Sequence, residues 1–127
     1  MAQKYYFKTT AGSTLIPIAD GTHYTEDMDE NYGNGEVYVK VLGADGVTQI
    51  AASAGTITFT GSPDGGGQYL AASANGAVDA TKLEVAGTTS TYTPPTFSGS
   101  VTKGKMVLAS LAGTGATYVQ AWHVRRP

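Results

Sequence analysis

Apolar and polar residues alternate with a period of two along most of the chain. Glu36–Leu42 (EVYVKVL) places Val37, Val39 and Val41 on one side and Glu36, Tyr38 and Lys40 on the other. Gly55–Gly61 (GTITFTG) does the same with Ile57 and Phe59 against Thr56, Thr58 and Thr60, and Lys82–Ala86 sets Leu83 and Val85 against Lys82 and Glu84. Successive side chains of a strand point to opposite faces, so this pattern predicts strands buried on one face only. Lys4–Thr10, Thr14–Ile18, Phe97–Val101, Lys105–Leu111 and Ala116–Val124 are further predicted strands, rich in β-branched and aromatic residues. Between them fall Asp20-Gly21, Asn34-Gly35, Asp45-Gly46 and Asn75-Gly76, pairs suited to turns that need positive φ. Pro63-Asp64-Gly65-Gly66-Gly67 and Pro94-Pro95 interrupt pairing too, since proline donates no backbone hydrogen bond. Within Gln68–Ala86 the alanines allow one short helical turn, with Asp79 as its N-cap. The expectation is a mainly β protein: one domain over residues 1–127, an antiparallel β-sandwich or small barrel of about eight or nine short strands.

Composition narrows the function more than the fold. Gly, Ala, Ser and Thr account for 60 of the 127 residues, and Leu, Ile, Val and Phe for only 23, so the core is thin. A formal net charge of −2 with no basic block argues against a nucleic-acid groove. The lack of cysteine excludes thiolate zinc sites, disulfides and cysteine nucleophiles. No apolar run approaches the roughly 18 residues of a bilayer-spanning helix, so no membrane partner is expected. The near-repeat of Gln49–Gly55 (QIAASAG) in Gln68–Gly76 (QYLAASANG) is explained by similar strands following similar turns.

Asp20–Glu36 holds six of the ten acids and His23, one of two histidines. Asp27-x-Asp29-x-Asn31 matches the first half of a calcium loop, but Tyr32 stands where the turn glycine belongs and Tyr38 where the bidentate glutamate belongs. Glu26, Asp27, Asp29 and Glu30 are numerous enough for a glycosidase pair. Acids crowded on one polar loop repel one another rather than differentiating into acid and base, however. His123 adjoins Trp122 in the last strand, on the opposite face, and reads as a hydrogen-bonded surface residue. No G-x-S-x-G nucleophile signature accompanies it. Gly65-Gly66-Gly67 lacks the helix start and lysine of a phosphate cradle, Lys82 being the next lysine. No catalytic residue, metal site or cofactor is therefore expected. The carboxy-terminal Trp122, Arg125 and Arg126 and the acidic Glu26, Asp27, Asp29 and Glu30 are the expected partner contacts, because Trp and Arg dominate interface hot spots and acidic loops complement basic surfaces. Arg125 and Arg126 are expected to follow the last strand as a tail.

Gly55–Gly67 (GTITFTGSPDGGG) and Phe97–Arg126 (FSGSVTKGKMVLASLAGTGATYVQAWHVRR) together resemble small structural proteins of tailed-bacteriophage virions. Those proteins show a T-I-T/V-T-x-x-G strand pair, then an F-x-G-x-V strand, a small-residue turn such as Leu111–Ala116 and an aromatic-bearing final strand. The resemblance implies a head decoration (cement) subunit, made in the host cytoplasm and bound to the major capsid protein or other virion subunits on the capsid surface. It also implies a homo-oligomer, with a trimer expected at three-fold positions. A collar, fibre or tail-associated subunit, and a carbohydrate-binding β-sandwich stacking sugars on Tyr38, Tyr69 and Trp122, are the alternatives.

Overall fold

The computed structural model describes residues 3–29, 34–83, 85, 91–98 and 101–126. The long alternating stretches form the long strands: β4 (Asn34–Leu42), β5 (Ala54–Ser62), β9 (Lys103–Ala112) and β10 (Tyr118–Arg126). Around them lie β1 (Gln3–Lys8), β2 (Ile16–Pro17), β3 (Gly21–Thr25), β6 (Leu70–Ala71), β7 (Ala77–Asp79) and β8 (Thr96–Phe97). Every pairing is antiparallel, in the order β6-β5-β9-β3-β1-β10-β4-β8, with β2 added to β10 and β7 to β5. The sheet curls into a half-barrel.

Its corner is β1. Gln3–Tyr6 pair with β10, whereas Phe7 and Lys8 pair with β3, so one strand belongs to both walls. The first wall is β1-β10-β4-β8 and the second β1-β3-β9-β5-β6. A bridge between Ala74 and Thr96 brings the two ends of the strand path together. The interior is lined by the inward half of each alternation: Phe7, Val37, Val39, Val41, Ile57, Phe59, Met106, Leu108, Val119 and Ala121 are all buried. Phe7, at the corner, and Phe59 of β5 meet inside it with ring centroids 5.4 Å apart.

Several expected elements change at short range. Thr14–Ile18 contracts to two paired residues, because Pro17 has no N–H to extend the ladder. Phe97–Val101 contributes only Phe97, preceded by Thr96; Gly99 and Ser100 lie outside the described residues. Lys82–Ala86 forms no strand among the described residues. Asp79 caps a 3-10 turn at Ala80–Lys82 by accepting from the Thr81 N–H, and Leu83 then leaves it extended and buried.

One turn dipeptide also takes another role. Asn34-Gly35 is the start of β4, and glycine is needed there for close approach rather than for positive φ. A Cβ on Gly35 would sit 2.5 Å from the Val124 carbonyl oxygen and 3.0 Å from the His123 ring. Gly55, at φ 122°, takes up the register shift where β5 meets β9. Opposite it Ser110 holds φ 57°, its N–H donating to the Asp20 carboxylate at 2.7 Å.

Candidate functional site

Alternation along β10 sends Val119, Ala121, His123 and Arg125 inward and Gln120, Trp122 and Arg126 outward. Register then decides what surrounds Trp122. It lies opposite Tyr6 on β1 and opposite Tyr38 on β4, so three aromatic side chains cross the outer face of the first wall in one row. The ring centroids are 5.8 Å apart for Tyr6–Trp122 and 6.0 Å for Tyr38–Trp122. Lys4 and Lys40 bring their Nζ atoms to 5.3 and 5.6 Å from the indole centroid, within cation–π range. A groove of about 330 Å³ opens beside this row, lined by Tyr38, Lys40, Gln49, Tyr92, Pro94 and Trp122.

Glu36 organises the end of the face. Its carboxylate accepts from the Tyr38 hydroxyl at 2.9 Å and pairs with the Arg126 guanidinium. Burial, with Glu36 beside it, pushes the Tyr38 phenol upward, so it remains a neutral donor. The arrangement offers aromatic ring area of the kind enriched at protein interface centres, together with two lysine cations and hydrogen-bonding groups.

The expected contact residues are not gathered into one site. Trp122 is at the centre of the first wall's outer face, and Arg126 is exposed at its end. Arg125, expected at the surface, is instead buried: it is 0% exposed, paired with Gly35 on one side and Gln3 on the other. The last strand runs on to Arg126 where a tail was expected, and strict alternation turns Arg125 inward. Burial lowers the Arg125 pKa. His123, expected at the surface, is likewise 0% exposed, against Phe97 at a centroid distance of 5.0 Å. Burial, reinforced by the nearby Arg125 cation, drives its pKa down to about 3.

The acidic segment is built differently from a solvated loop. Its first part is β3, held between β1 and β9. After the strand, Met28 is buried and its N–H donates to the Thr102 carbonyl at 2.7 Å, while the Asp29 N–H donates to the Tyr5 hydroxyl at 3.2 Å. This anchoring leaves Asp27 and Asp29 exposed on either side of Met28, beside Asp64, around a hollow at one end of the half-barrel. Glu26 forms an ion pair with Lys8 at 3.4 Å. Glu30 lies outside the described residues. Tyr38, at the last position of the calcium-loop pattern, is a β4 residue engaged with Glu36, and no group of three His, Asp or Glu residues placed to hold a metal ion occurs among the described residues.

Sequence reasoning missed Lys4, Tyr6 and Lys40 beside Trp122. The Tyr38 and Lys40 side of the row was legible as one strand face; the partnership with Trp122 depends on register across 84 positions of chain, from Tyr38 to Trp122. No protein-family model matches the chain, and no curated protein is similar to it.

Proposed function

We propose that this protein is a non-enzymatic structural subunit that docks through the Tyr6–Trp122–Tyr38 face onto an acidic protein surface, as a capsid decoration (cement) subunit of a tailed-phage head would. The observation that carries this reading is the aromatic row with Lys4 and Lys40 over its central ring. An acidic partner draws those lysines off the indole into ion pairs, while the rings supply apolar area; together these give both steering and affinity. Threonine-rich outer strands cost less to desolvate against a neighbour than charged ones would. One observation favours a second reading, carbohydrate binding: the groove beside Trp122 flanked by Tyr38, Tyr92 and Gln49 has room for a sugar ring.

Cosedimentation with expanded heads of a phage that encodes this chain, run beside a glycan array, separates the two. Binding to heads that is lost in Trp122→Ala and weakened in Lys40→Ala, with melting temperature retained, supports the docking reading. Glycan binding without head binding replaces it with the carbohydrate reading. Binding to neither overturns both.

A further inference from the structure

The two ends of the strand path meet at a contact that no functional reading above uses. The Ser73 N–H donates to the Thr96 carbonyl at 2.8 Å, and the Thr96 N–H donates to the Ala74 carbonyl at 3.0 Å. Beside them the Ser98 N–H donates to the Ser73 hydroxyl at 3.0 Å, and the two serine hydroxyls are 2.9 Å apart. Ser73, Ala74 and Ser98 are exposed, so water competes for these bonds. The strand on one side of the contact, β8, is only two residues long and pairs with β4 at Gly35 and Glu36. The rest of the sheet is held by the long ladders of β4 with β10 and β5 with β9.

From inside, β8 is held by Phe97, which is buried and touches both walls. Its ring centroid is 5.0 Å from that of His123 on β10, and a Cβ on Gly61 of β5 would lie 3.0 Å from the ring. His123 is the member of this packing that can gain a charge, and its surroundings refuse one. Neither of its ring nitrogens has a hydrogen-bond partner among the described residues. On its own strand the Arg125 cation repels a charged ring, and only the Val124 backbone favours one. On β1 it is paired with Tyr5, whose hydroxyl accepts from the Asp29 N–H. On β4 it is paired with Val37 beside Gly35, while Glu36 is engaged with Tyr38 and Arg126. On β8 it meets only the Phe97 ring. A proton on His123 therefore has no stable place until the ring reaches water, and β8 is the least firmly held element covering it.

We infer that the contact of Ser73 and Ala74 with Thr96–Ser98 is an acid-operated clasp: protonation of His123 displaces Phe97 and opens the half-barrel along this line, while the long strands stay paired. Above about pH 6.5 the ring is neutral whether the clasp is open or shut, so acid chemistry does not bias it. Below that, the open form takes up a proton that the closed form refuses. The ratio of open to closed then grows about tenfold per pH unit, reaching about a hundredfold at pH 4.5. The clasp does not depend on what the Trp122 face binds.

Amide hydrogen exchange on the full chain, followed by NMR from pH 7.5 to 4.5 and expressed as protection factors, tests the inference. The Ser73, Thr96 and Ser98 amides should be protected at least about tenfold less than those of the β4–β10 and β5–β9 ladders throughout the range. Their protection should fall by about a hundredfold from pH 7.5 to 4.5. His123→Leu should abolish that fall, and His123→Gln, neutral but polar, provides a second variant that cannot titrate. Clasp amides as well protected as the ladders would mean that the contact opens only when the whole chain unfolds. Either that result, clasp protection that does not change with pH, or an equal fall once His123 is replaced would overturn the inference.

Discussion

Acidifying the protein from pH 7.5 to pH 4.5 should cost stability through one buried group above all, His123. In the fold its pKa is about 3, against 6.5 for an unperturbed histidine, because the ring is sealed from water and sits near the Arg125 cation. It is therefore neutral in the folded chain throughout this range. The unfolded chain, in contrast, takes up a proton once the pH drops below about 6.5. The stability tied to this residue is fully present above about pH 6.5 and is lost as the pH falls toward about 3, at about 1.4 kcal/mol per pH unit. Two units below 6.5 the loss reaches about 2.7 kcal/mol, a large share of the 5–15 kcal/mol typical of a domain. The displaced carboxylates do not blur the reading. Asp45, Asp64 and Asp79 are lowered from 3.8, Asp45 to about 2, so their contributions persist until the pH is below about 4. His23, also lowered by burial, acts with the same sign, and a His23→Gln background removes it. Urea unfolding at fixed ionic strength, in steps from pH 7.5 to 4.5, measures the slope, and His123→Leu supplies the comparison without a titrating ring. The variant should start from a different stability but lose less as the pH falls. An equal slope in both proteins, or a His123 ring that titrates near 6.5 by NMR in the folded chain, would refute the reasoning.

Gly35→Ala should destabilise by about 1–3 kcal/mol, because its Cβ would press on the Val124 carbonyl and the His123 ring, whereas Gly21→Ala, whose nearest neighbour would be 3.5 Å away, should be close to neutral; thermal melts of the two variants check this. Truncation after Val124 should lower the melting temperature by several degrees, since it removes buried Arg125, the pairing of both arginines with β4 and the Arg126–Glu36 ion pair. An unchanged melting temperature would mean that the end of β10 adds nothing to the fold.

By itself the sequence determined the strand character of the chain and the inward side of each long strand. Val37, Val39 and Val41, or Ile57 and Phe59, point inward because side-chain direction in a strand is fixed by local geometry, and a period of two is visible within seven residues. The Asp79 cap was legible for the same reason, its bond being to Thr81 two residues on. β3 was not, since Gly21–Thr25 contains no aliphatic residue and becomes a strand only because β1 and β9 supply ladders on both sides. The fate of the chain end was equally hidden: two adjacent arginines look alike in a sequence, and only pairing to Gly35 carries the strand far enough to bury Arg125 and expose Arg126. The aromatic face belongs to this second kind of information. Tyr6 meets Trp122 across strand order and register, which depend on how distant segments share one core and so leave no mark in any short stretch of residues.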